Sequence, residues 1–152
     1  MSDYAASIDV LATPDQVYSL WSDPGGWPQW DPDLESAALD GPFETGSTGS
    51  IKALGSPRTR IRLTKVHPGS SFVAEASLPG GRMVFEHTLE VTPTGCSVAH
   101  VVSFVGPLSR LYALLIGARI ARGLPGTMAG LKAAAESAAE SAPDSAAESS
   151  TS

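Results

Sequence analysis

The sequence predicts an α+β domain: a curved antiparallel sheet of about six or seven strands wrapped around a long, kinked C-terminal helix, with two short helices after the first strand. Three observations predict it. From Leu108 to about Glu140, Leu111, Leu115, Ile116, Ile120, Leu124, Met128, Leu131 and Ala135 recur at three- to four-residue spacing, the period of one buried helical face. Upstream, short stretches alternate apolar and polar residues between regularly spaced turn signals, the pattern of an antiparallel meander. The chain has 152 residues, 42% of them hydrophobic, with mean hydropathy +0.03, enough for a single folded core.

Taken in order, residues 3–11 put Tyr4, Ala6, Ile8 and Val10 on one face and Ser7 and Asp9 on the other, a half-buried first strand. Thr13-Pro14-Asp15-Gln16 then reads as a capping box with proline at the first helical position. The helix it opens buries Val17, Leu20 and Trp21 and stops at Asp23-Pro24-Gly25-Gly26. Trp27-Pro28-Gln29-Trp30 forms a second short turn, ended by Asp31-Pro32. Strands follow at Leu34–Asp40 and Ser50–Leu54, then at Arg58–Val66, which turns Thr59, Ile61 and Leu63 inward and Arg58, Arg60 and Arg62 outward. Phe72–Leu78 places Phe72, Ala74, Ala76 and Leu78 together, and Pro79-Gly80-Gly81 signals a hairpin. Met83–Val91 gathers Met83, Phe85, His87, Leu89 and Val91 on one face; Cys96–Val105 is apolar on both faces, with Val98, His100, Val102 and Phe104 taken as inward. Gly106-Pro107 opens the long helix. Pro125 within it lacks an N–H, so a kink is expected there, at ~3 kcal/mol if uncompensated. Residues 1–140 read as one domain and residues 141–152, rich in Ala, Ser and Glu, as a flexible solvated tail.

Charge and composition exclude several classes. The net charge is −6, but residues 133–152 hold Glu136, Glu140, Asp144 and Glu148 and no base, leaving −2 for the rest. That balance gives no footprint for DNA or RNA. A single cysteine, Cys96, allows no internal disulfide and fits a reducing compartment; with no charged-then-apolar leader visible, a cytoplasmic location is expected. The longest uncharged apolar run, Leu111–Ala118, is too short to span a membrane, so no integral membrane association is expected. There is no asparagine, no P-loop, no Gly-x-Gly-x-x-Gly and no Cys-x-x-Cys, and no cofactor is implied.

This element order resembles the START-like, or SRPBCC, superfamily, the helix-grip fold of polyketide cyclase/dehydrase and lipid-transport-like proteins. Three stretches carry the resemblance: Ala12–Asp23 with Trp27-Pro-Gln-Trp30; Phe85–Gly95; and Gly106-Pro-Leu with Gly117–Pro125 and Leu131–Glu136. Together they span residues 3 to about 138. The resemblance implies an elongated apolar cavity between sheet and helix. It brings no invariant catalytic set, because the scaffold hosts cyclases, lyases, hydrolases, carriers and plain binders.

The expected occupant is a small hydrophobic molecule: a lipid, a polyketide or an aromatic. Ile61, Phe72, Met83, Phe85 and Phe104 from the sheet and Tyr112, Ile116 and Ile120 from the helix are the expected lining. His87 and His100 are the expected polar anchors; two histidines without a third ligand make a poor metal site, and none is expected. Trp27 and Trp30 either cap the cavity mouth or plug the core. His67 before Pro68 is expected at an exposed turn, and Cys96 is read as inert. Two further readings stay open. One is a cyclase/dehydratase-type enzyme in which His87 or Tyr112 moves protons. The other is a protein-interaction module, and the chain is expected as a monomer or weak homodimer.

Overall fold

The computed structural model describes the backbone of residues 3–151 and the side chains of residues 4–141, so the residues expected to form the solvated tail lie, from 142 on, outside the described side chains. The strands are β1 (Asp3–Val10), β2 (Leu34–Leu39), β3 (Thr48–Ala53), β4 (Thr59–His67), β5 (Ser71–Leu78), β6 (Gly81–Thr92) and β7 (Gly95–Val105). The helices are α1 (Pro14–Trp21), α2 (Trp27–Trp30) and α3 (Ser109–Thr151), with one 3-10 turn, Pro24–Gly26, leading into α2. Among the described residues the seven strands form one antiparallel sheet in the order β1-β7-β6-β5-β4-β3-β2. Register shifts at Leu34/Ser36 and Leu63/Lys65 accompany its curl into a half-barrel. The fold is the α+β helix-grip, with seven strands at the upper end of the expected number.

Local chemistry builds the elements as read. Thr13 caps α1, its hydroxyl accepting from the Gln16 N–H, while the Gln16 side chain accepts from the Thr13 N–H. Along β7 every second residue from Cys96 to Phe104 is buried, so His100 and Phe104 do face inward. Arg58, Arg60 and Arg62 are exposed on the outer face, where Arg60 pairs with Asp40 at 2.8 Å. That cation holds the Asp40 carboxyl below its usual range. Val91, in phase with His87 and Leu89 but next to the strand end, is exposed.

α3 continues as one helix through Pro125. Its apolar period departs from the expected single stripe. Leu124, Met128, Leu131 and Ala135 are buried, but Leu111 and Leu115 are exposed. At 100° per residue Leu111 and Leu115 lie a quarter turn off the Tyr112–Ile116–Ile120 stripe, and only one stripe of the first turns can face the sheet.

The helix is tied down at its start and again at Glu136. At the start, the Leu108 N–H donates to the Gly80 carbonyl at 3.0 Å, and the Tyr112 hydroxyl donates to the Pro79 carbonyl at 2.5 Å. Further on, Glu136 accepts from the Leu11 N–H at 2.9 Å and from Lys132 one turn back. Gly130 lets α3 approach α2 closely: a methyl there would overlap the Trp30 carbonyl, backbone that cannot step aside.

Candidate functional site

α3, held at its start and at Glu136, does not fill the concave face of the sheet. Between them lies a cavity of about 440 Å³, within the roughly 300–1,000 Å³ usual for small-molecule sites. Ile61, Phe72, Ala74, Ala76, Met83 and Phe85 form its sheet wall, Ile116, Ile120 and Leu124 its helix wall, and Trp21, Trp27 and Trp30 its α1–α2 wall. Four lining residues are exposed, Asp33, Pro57, Glu86 and Arg119, and three of them, Asp33, Pro57 and Arg119, mark a mouth between the α2–β2 link, the β3–β4 turn and α3. Arg119 spans part of that mouth, donating to the Leu54 carbonyl and, at 3.4 Å, to the Ser56 hydroxyl.

The inner end is aromatic and nearly dry. His87 and His100 are direct register partners on β6 and β7, and their rings meet edge to face at 4.4 Å between centroids. His87 lies flat on Phe72, 3.9 Å away with 6° between planes, and Trp21 stands against His87 and Phe72 at 5.6 and 5.3 Å. Burial pulls His87 well below its ordinary value, helped by the neighbouring His100, and burial alone pulls His100 down to about 4. Both rings are therefore neutral at physiological pH. Among the lining residues, His87 Nδ1, His100 Nε2, Trp21 Nε1 and Trp30 Nε1 have no hydrogen-bond partner, and each of these atoms is covered by protein. Leaving such atoms unpaired costs on the order of 1–3 kcal/mol each. On the far side, Asp31 accepts from the Thr127 hydroxyl and the Asp33 N–H, both at 3.0 Å, and burial raises its carboxyl.

The structure thus gathers Trp27, Trp30, Ile61, Phe72, Met83, Phe85, His87, His100, Ile116 and Ile120 around one hollow. Phe104 and Tyr112 lie outside it. Phe104 is fully buried between Tyr4 and Tyr112, at centroid distances of 6.2 and 6.3 Å, and the Tyr112 hydroxyl is spent on Pro79. These rings close the end where β7 and α3 already touch. Trp27 both lines the hollow and belongs to the core: it is buried, it stacks on Phe72, and its Nε1 donates to the Trp21 carbonyl at 3.0 Å. Trp30 is only half-buried. Sequence reasoning missed Trp21, whose spacing with Val17 and Leu20 marks burial without distinguishing core from cavity wall. It also missed Arg119 and Asp33, for which no local pattern signals a mouth. Cys96 is fully buried with its thiol pushed up, and His67 is exposed. No cluster of three His, Cys, Asp or Glu able to hold a metal occurs among the described residues. No helix there is long and apolar enough to cross a membrane.

Solved structures share this architecture at low sequence identity. The di-domain ARO/CYC StfQ from the steffimycin biosynthetic pathway superposes with a TM-score of 0.74 at 16% identity, over 91% of this chain and 51% of that one. A Mesorhizobium loti protein gives 0.70 at 17%, over 89% and 97%. The Aha1 dimer from Colwellia psychrerythraea gives 0.68 at 18%, over 90% and 97%. No curated protein matches the chain in sequence. The family described as polyketide cyclase / dehydrase and lipid transport matches residues 1–136, and the chain belongs to that family.

Proposed function

We propose that residues 1–140 act as one domain that binds a small, uncharged, largely apolar molecule in the cavity, with its polar group at the His87–His100 end. The observation that carries this reading is the apolar hollow of about 440 Å³ between the sheet and α3, with two neutral histidines among its lining. Each neutral imidazole offers a donor or an acceptor to a carbonyl or hydroxyl group. No cation lies at that end to receive a carboxylate, since both imidazoles shed their protons there. The half-buried aromatic side chains of the lining, Trp30 and Phe85, favour a ligand with a planar part. A hydroxylated or carbonyl-bearing aromatic, or a short polyketide-like molecule, meets these demands. A lipid with a neutral head group meets the apolar part of them.

Binding is favoured over cyclase chemistry because the second candidate proton carrier, Tyr112, is engaged elsewhere. His87 alone could move a proton, and as a neutral base only. The domain is proposed as a monomer in a reducing, cytoplasmic setting, in keeping with its one buried free cysteine. Native mass spectrometry of protein purified from its own host tests the reading. A retained apolar small molecule, lost in His87→Leu/His100→Leu, is the expected result. An empty protein that also fails to take up neutral aromatics in titration would overturn it.

A further inference from the structure

We infer that the outward face of the first turns of α3 docks on an anionic lipid surface and presents the cavity mouth to it. Leu114 is 80% exposed, Leu115 66%, Leu111 46% and Leu108 40%, and Leu54 on the adjoining β3–β4 turn is 50% exposed. A globular chain rarely leaves five leucines in water on neighbouring elements without a use for them. Arg110, Arg119 and Arg122 are also exposed on these turns. From Val91 to Ala135 the chain has no acidic residue, although it carries a net charge of −6. The helix N-terminus adds its own partial positive charge at Ser109. The acidic residues of α3 start at Glu136, 17 residues beyond Arg119 and thus about 25 Å along the helix.

Exposed leucines flanked by arginines are the chemistry of an interfacial helix. The apolar side chains enter the acyl boundary while the guanidinium groups meet lipid phosphates. A second copy of the chain fits the patch poorly, because a twofold contact would set three arginines against three arginines. Arg119 joins the patch to the mouth: it lines the cavity and also holds Leu54 and Ser56 of the β3–β4 turn. A phosphate that competes for Arg119 would loosen this latch, so an apolar guest could pass between bilayer and cavity without crossing bulk water.

The docking does not depend on the ligand-binding reading, and vesicle co-sedimentation tests it alone. The full chain is expected to pellet with phosphatidylcholine vesicles that contain about a third phosphatidylglycerol, and to stay in solution with phosphatidylcholine alone. Leu114→Ser/Leu115→Ser should abolish pelleting. Arg110→Gln and Arg122→Gln should each weaken partition about fivefold, as roughly 1 kcal/mol per basic residue implies. These positions are exposed, so the melting temperature should stay unchanged. Equal partition onto both vesicle types, or variants that pellet like the parent, would overturn the inference. So would a dimer in analytical ultracentrifugation that the leucine variant dissociates, with no vesicle binding by the parent.

Discussion

Two stretches of α3 meet different surroundings. From Met128 to Ala135 the helix sits on solid protein: Leu131 and Ala135 are fully buried, and Gly130 fits under the Trp30 carbonyl. From Ile116 to Leu124 it runs over a hollow lined by Ile116, Ile120 and Leu124, while Leu111, Leu114 and Leu115 just before it stand in water. A helix laid across a concave sheet can touch it closely along only part of its length. The packed stretch stabilises the fold, and the other leaves the hollow open.

The sharpest break of this comparison is a pair of truncations. Leu131→Ala should cost about 2–5 kcal/mol, the usual range for a fully buried leucine, whereas Leu115→Ala should stay within roughly 0.5 kcal/mol. Urea unfolding measures both. Equal losses would mean that α3 is packed alike at both positions.

Acid should act next most strongly, because the buried histidines line the hollow. Unfolded histidines titrate near 6.5, but burial pulls His100 to about 4 and pulls His87, beside it, well below normal. Between about pH 6.5 and 4 the unfolded chain therefore binds protons that the folded chain refuses. Stability is whole above pH 6.5 and falls on acidification, by about 3 kcal/mol at pH 4 from His100 alone. His87 adds in the same direction. Thermal melts across this range should show the fall, and His100→Phe should lessen it, leaving the part that His87 contributes. A bound guest that hydrogen-bonds the neutral rings should oppose it.

Most of the fold was legible because local rules and long-range packing agree. The capping box at Thr13, the glycine–proline turns and the alternation on β4 and β5 each state one element. Even in β7, apolar on both faces, Val98, His100, Val102 and Phe104 face inward as expected. The site was legible in its walls but not in its extent. Periodicity reports which face of an element is buried, not the distance to what it faces. Phe104 and Tyr112 share the inward faces of β7 and α3, yet lie where those elements already touch. Leu111 and Leu115 fit a helical period that was drawn one stripe too wide. Trp21, Asp31 and Arg119 converge on the hollow from three elements far apart in sequence, so no window of the chain displays them together.

A smaller effect separates the closed end from the hollow. Tyr112→Phe removes the hydrogen bond to the Pro79 carbonyl and should cost about 1 kcal/mol of stability without changing ligand affinity. A lost affinity at unchanged stability would return Tyr112 to the binding surface.

The claim on which the rest depends is that the space under α3 is an open binding site. The most direct measurement is the titration of N-phenyl-1-naphthylamine, an uncharged aromatic dye, by energy transfer from Trp21, Trp27 and Trp30 on the cavity wall. The parent chain should bind one dye saturably, and Ala76→Phe, which fills the hollow from the sheet side, should melt as before and bind none. Equal binding by both proteins, or none by the parent, would contradict it.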